Sequence, residues 1–205
     1  MKENSLEITK YIQIARKKHK DGNIYQANEI YKNLINQKIY TYDLLISYGI
    51  FCKEIDNVKI AKNLFFLSIK KYPLKINSYI LLAEILRKEN NINDALKTLY
   101  AAKKIEKFNS EIDYNISVIF KTIQSFKEAI VSIDSAINQN PGNQIYQILK
   151  ADILIESSNN EDAKELLLNL KLPKDSILFF QREILLSKIF INQKKYKLAE
   201  GVLLG

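Results

Sequence analysis

The chain is short of most things that shape a loop-rich or covalently braced protein. Its 205 residues include one cysteine, three prolines, five glycines, one histidine and no tryptophan. One cysteine excludes an internal disulfide and any cysteine-rich metal site. So little glycine and proline excludes a β-protein with many turns. No stretch approaches the roughly 20 apolar residues that span a bilayer. The opening residues, Met1 to Glu7, carry two acids and no apolar run, so they are not a secretory signal. The expectation is a soluble, cytoplasmic protein.

Catalytic signatures are missing as well. There is no glycine-rich phosphate loop and no GxGxxG, GxSxG or HExxH. His19 has no second histidine with which to build a metal site, and reads as a helix-end residue. Cys52 has no nearby histidine base and reads as a small core hydrophobe. The acid pair Glu161 and Asp162 falls in the first turn of a helical stretch, where acids favour the helix dipole. No catalytic residue, metal or cofactor is expected.

What is present is apolar, helix-compatible and basic. Hydrophobic residues make up 47% of the chain, enough for a continuous core, and the net charge is +8. The charge is polarised. Residues 1–109 are basic, 110–179 mildly acidic, and 180–205 basic again. Such asymmetry can steer an acidic partner. Solvated lysines on helix surfaces explain much of it, because Lys, Ile and Asn abound as in an AT-rich coding sequence. Twelve tyrosines and many lysines raise RNA stacking as a function. The aromatics fall mostly on core registers, so nucleic acid is not the expected partner.

Small residues recur with one period. Ala27, Ala61, Ala95, Ala129 and Ala163 are 34 residues apart, and so are Ala15, Gly49, Ala83, Ser117 and Ala151. A period of this size marks a stack of copies of one supersecondary unit. Each copy shows two amphipathic helical patterns joined by a polar turn, as at Lys20 to Asn23 or Glu89 to Asn91. Four residues after each periodic Ala of the second helix comes a large apolar residue: Tyr31, Phe65, Leu99, Ile133 and Leu167. That places it on the same helical face. Pro73, Pro141 and Pro173 stand where second helices end.

These motifs resemble the tetratricopeptide repeat family. The resemblance covers nearly the whole chain, as units 8–41, 42–75, 76–109, 110–143, 144–179 and a partial 180–205. It implies an all-α, right-handed α-α superhelix of about six helical hairpins forming a single domain over 1–205. The family's early aromatic of helix A is present as Tyr11 and Tyr79 but replaced by Asp113 and Gln147. The fifth unit is two residues longer around Leu172 to Ser176. These departures predict irregular geometry from the fourth unit onward. The family's carboxylate clamp is not carried over, since its places hold Ile12, Arg16, Ser47, Asn77 and Leu81.

In this architecture helix A lines the concave side. One column of helix A reads Ile12, Ile46, Ile80, Tyr114, Ile148 and Ile184. Seven residues on, a second reads His19, Lys53, Arg87, Lys121, Ile155 and Ile191. Between them run Arg16, Ile50, Glu84, Val118, Asp152 and Lys188. Two readings are open. The isoleucines form the floor of a groove with a cationic edge, or they pack between neighbouring helices. On the first reading the peptide-binding residues are Ile12, Arg16, Ile46, Ile50, Lys53, Ile80, Arg87, Tyr114, Lys121 and Ile148.

The expected function is a non-catalytic protein-interaction module, an adaptor or scaffold. Its partner would be a protein or peptide, acidic with apolar anchors. The alternative is the N-terminal recognition arm of a larger transferase-type enzyme or complex. The last helix ends without a polar cap, although repeat arrays need one. Val202, Leu203 and Leu204 are therefore expected to expose apolar surface, covered by a following segment, a partner or a second copy in a homo-oligomer.

Overall fold

The computed structural model describes residues 2–204, and side chains over 6–202. Every element among them is an α-helix. The first hairpin is α1 (Lys2–Lys20) and α2 (Ile24–Asn36); the second, α3 (Tyr42–Glu54) and α4 (Val58–Lys71); the third, α5 (Asn77–Lys88) and α6 (Ile92–Ile105). The fourth is α7 (Ser110–Thr122) and α8 (Phe126–Gln139); the fifth, α9 (Gln144–Glu156) and α10 (Asn160–Asn169); the sixth, α11 (Ile177–Asn192) and α12 (Tyr196–Leu204). Odd-numbered helices are the A helices and even-numbered the B helices. The chain has an all-α helical-hairpin repeat fold.

The helices pack into two compact units, Met1–Ile105 and Glu106–Gly205, each of three hairpins. A hairpin repeat touches mainly its neighbours. Six of them therefore have no shared centre that would demand one core.

All six hairpin turns are built alike. The residue after the C-cap of each A helix has a left-handed backbone: Gly22, Asp56, Asn90, Gln124, Ser158 and Lys194, with φ between 59° and 78°. Two backbone bonds close the turn. In the second hairpin Asp56 N–H donates to Lys53 O at 3.3 Å, and Asn57 N–H donates to Cys52 O at 2.7 Å. This is the Schellman arrangement, which satisfies the last carbonyls of the A helix. The B helix then starts at once, and Asn23, Asn57, Ser125 and Asn159 need no side-chain cap bond. A helices follow longer connections, and α3, α7, α9 and α11 are capped by side chains, while α5, with Ile76 at its N-cap, is not. Thr41 Oγ1 accepts from Leu44 N–H at 3.3 Å, and Ser176 Oγ accepts from Phe179 N–H at 3.1 Å.

Both small-residue columns are fully enclosed. Ala15, Ala27, Ala61, Ala83, Ala95, Ala129, Ala151 and Ala163 are at most 1% exposed. Ser117 donates from its buried hydroxyl to Ala129 O at 2.8 Å, tying the two columns together in the fourth hairpin. At Gly49 the approach is closest, and a Cβ there would collide with the Phe65 ring. In the N-terminal unit, Tyr31 stacks on Tyr48 at 5.1 Å and tilts against Phe51 at 5.5 Å. In the C-terminal unit, Ala129, Ile133, Ala136, Tyr146 and Ile153 form one cluster. Ile148, Ala151, Leu167, Leu186 and Ile189 belong to another.

The two departures from the aromatic pattern are accommodated by hydrogen bonds. Tyr79 donates its hydroxyl to Pro73 O at 3.0 Å. Gln147, at the same register, donates from Nε2 to Pro141 O at 3.0 Å. The buried Asp113 accepts from Ser135 Oγ and Gln139 Nε2, both at 2.7 Å. The fifth repeat departs around the α10–α11 connection: α10 stops at Asn169 after 10 residues, where α8 has 14, and the connection runs over 170–176.

At the chain's end, Val202 is half-buried against the cluster that α9, α10 and α11 build. The side chains of Leu203 and Leu204 lie outside the described residues. Exposed apolar residues near this end are Ile177, Phe180, Ile184 and Ile191 on α11 and Tyr196 and Leu198 on α12.

Candidate interaction surface on the A helices

The isoleucine column is interior. Ile12, Ile46, Ile80 and Ile148 are buried, and Tyr114 is half-buried and stacked on Tyr146 at 5.1 Å. Only Ile184 stands in solvent. The solvent-facing part of each A helix lies on neighbouring registers. Asp43, Asn77 and Glu111 near the N-terminal ends are exposed, as are Glu54, Lys88 and Glu156 near the C-terminal ends. Between them Ile50, Glu84, Val118, Asp152 and Lys188 are half-buried, and Arg16 is exposed.

Three members of the basic column, His19, Lys53 and Lys121, are partnered. Lys53 Nζ lies 2.7 Å from Glu84 Oε2, and Lys88 Nζ is 3.2 Å from the other oxygen. Lys121 Nζ sits between Asp152 at 2.8 Å and Glu156 at 3.0 Å. Arg16 donates from Nε and Nη2 to Ser47 Oγ, at 3.0 and 2.6 Å. His19 Nδ1 is 3.3 Å from Glu54, and Arg87 is half-buried. Three of these links share one offset: 16 to 47, 53 to 84 and 121 to 152 are each 31 residues. Helical side chains lean toward their own N-terminus. A residue on one A helix therefore reaches a partner three positions short of its equivalent on the next.

The pairs are partly wet, so each contributes about 1 kcal/mol or less. Their electrostatics are nevertheless resolved. Burial alone would raise the Glu84 pKa, but the Lys53 hydrogen bond and the charges of Lys53 and Lys88 outweigh it, leaving the pKa lowered. Burial alone would lower the Lys121 pKa, but Asp152 and Glu156 outweigh it, leaving the pKa raised. The expected cationic edge is thus an ion-pair ladder of mixed charge. Lys53, Glu84 and Lys88 meet in the N-terminal unit; Lys121, Asp152, Glu156 and Lys188 meet in the C-terminal unit.

Sequence reasoning missed the acidic half of this ladder. The signal was available as Glu84 and Asp152, each 31 residues after a lysine.

Beneath the N-terminal ladder, burial pushes the Cys52 thiol up to about 11, with only partial relief from Tyr48 and Lys32. Such a thiol is a poor nucleophile at neutral pH. Among the described residues, no group of three or more His, Cys, Asp or Glu could hold a metal ion. Among the same residues, no helix is long and apolar enough to cross a membrane.

This arrangement of stacked hairpins, with enclosed alanines and a laddered A face, defines a helical-repeat protein. More specifically, it has the tetratricopeptide repeat fold. A tetratricopeptide repeat protein of Parabacteroides merdae is similar to it at a TM-score of 0.80 and 13% identity, over 97% of this chain and 77% of that one. PilF of Pseudomonas aeruginosa is similar at 0.73 and 12% identity, over 95% of this chain and 88% of its own. A thermophilic tetratricopeptide repeat protein of Thermus thermophilus is similar at 0.66 and 10% identity, over 97% and 100%. No protein-family model and no curated protein matches the sequence.

Proposed function

We propose that the protein is a non-catalytic interaction scaffold whose A helices hold a protein or peptide partner. The observation that carries this reading is the regular exposed face on α1, α3 and α5, repeated on α7, α9 and α11. Ile50 and Val118 offer half-buried apolar contacts there. Charged pairs such as Lys53 and Glu84 flank them. A mixed, ordered surface of this kind suits a partner with alternating apolar and charged side chains. The ten residues named from the sequence contribute in two ways on this reading. Arg16, Ile50, Lys53, Arg87 and Lys121 would meet the partner. Ile12, Ile46, Ile80, Tyr114 and Ile148 would hold the helices that present them.

Affinity capture from the native organism tests it, with the intact chain and an Ile50→Asp variant as baits. The expected result is nuclease-insensitive protein partners that the variant loses while its helical signal is unchanged. Recovery of nothing specific, or equal recovery by both baits, would remove the A face from the function.

A further inference from the structure

The B helices carry a second surface with a different character. In the N-terminal unit, α4 has Lys59, Lys62, Lys70 and Lys71 and no acidic residue. Phe66 projects from the middle of that helix and is 66% exposed, although it is a large aromatic. It stands over a cleft of about 600 Å³ between α4, α5 and α6, whose apolar wall includes Ile69, Tyr79, Leu82 and Leu86. Lys62, Lys97 and Asp94 also line it, and Lys62 Nζ lies 2.7 Å from Glu89 Oε2. Lys59 precedes Phe66 by two helical turns and Lys70 follows it by one, so all three share a face.

The chain also carries the complement. In the C-terminal unit, α10 has Glu161, Asp162 and Glu165 against one lysine. Leu168 is 62% exposed on it, seven residues after Glu161 and three after Glu165. Those residues form one outward stripe, acidic with an apolar tip. The spacing from Lys59 to Phe66 is also seven. With the two helices parallel and Leu168 against Phe66, Glu161 falls opposite Lys59 and Glu165 near Lys62.

We infer that the α4–α6 cleft binds α10 of a second copy of this chain. Phe66 and Leu168 supply the apolar contact, and opposite charges select the partner and its register. An exposed aromatic flanked on its own helical face by Lys59 and Lys70 is poorly explained as ordinary surface. A complementary stripe in the same molecule supplies its occupant. This surface is separate from the A face and from the apolar residues of α11.

Sedimentation velocity on the intact chain over a hundredfold concentration range, at low and high salt, tests the inference. The expected result is concentration-dependent association that salt weakens. Phe66→Ser should weaken it about tenfold. Lys59→Glu with Lys70→Glu should abolish it, and so should Glu161→Lys with Glu165→Lys. Mixing the two charge variants should restore it, because each then faces its complement. All four positions are exposed, so circular dichroism and thermal unfolding should report an intact fold.

A wild-type chain that stays monomeric throughout would overturn the inference. So would association that persists in both charge variants. A monomeric chain that still binds a labelled glutamate-rich peptide with a central leucine, and loses it with Lys59→Glu and Lys70→Glu, would give the face to a foreign partner and overturn self-association.

Discussion

Lys53 Nζ stands 2.7 Å from Glu84 Oε2 and joins α3 to α5 across two hairpins. The pair is about three-quarters enclosed, with 22% and 28% of the side chains exposed. Glu84→Gln should therefore cost no more than about 1 kcal/mol at pH 7. The pH dependence has a definite sign. The folded pKa of Glu84 lies below its ordinary value. The contribution is therefore complete above the ordinary carboxylate range and disappears as pH falls through the lowered value. Urea unfolding of wild type and variant should show a gap at pH 7 that closes under strongly acidic conditions.

Gly49→Ala should destabilise the protein despite alanine's better helix propensity. The added methyl collides with Phe65, which is itself fully enclosed and cannot swing away. Overpacking costs about 1–3 kcal/mol, against about 1 kcal/mol gained in propensity. A lowered unfolding midpoint checks this. Alanine occupies the same register in other repeats, as Ala15, Ala83 and Ala151.

The left-handed turn positions should respond oppositely according to residue. Gln124 and Lys194 hold φ of 59° and 60°, a conformation in which a side chain is strained. Gln124→Gly or Lys194→Gly should raise stability by about 0.5–1 kcal/mol. Gly22→Ala, at φ 78°, should lower it by about 1 kcal/mol. Chemical denaturation midpoints compare the three directly.

Ile46→Asp should unfold or strongly destabilise the N-terminal unit, by about 3 kcal/mol or more, because it places an unpaired carboxylate in the core. Ile50→Asp, half-buried one turn away, should cost much less. Thermal unfolding of the two variants separates a core position from a surface position.

The contrast between Ile46 and Ile50 shows where reading the sequence succeeds and where it stops. Alanine and glycine at fixed intervals announce close helix contacts, because only small residues permit them. The prolines and polar turns locate the hairpins for the same local reasons. Which face of an A helix meets solvent depends on how far each helix rotates against its neighbour, and no local rule supplies that angle. Hence the isoleucine column, equally suited to a floor or a core, is buried at Ile12, Ile46, Ile80 and Ile148, half-buried at Tyr114 and exposed at Ile184, and other exposed registers lie beside it. The ladder partners stayed hidden for a related reason. Lys53 and Glu84 become neighbours only once the lean of side chains along stacked helices is known. Asp113 shows the reverse case. It looked like a defect in the pattern, and Ser135 and Gln139 turn it into a satisfied buried group.

Each hairpin closes its own backbone at the left-handed residue, without borrowing a bond from the hairpins on either side. A hairpin is thus sealed at its turn, and changes in length fall at its far end and in the connection that follows. The two additional residues of the fifth repeat fall in that region. A chain assembled this way can lengthen by copying whole modules, and can drift in sequence nearly everywhere else, provided its alanines stay small and its turns can still fold to the left.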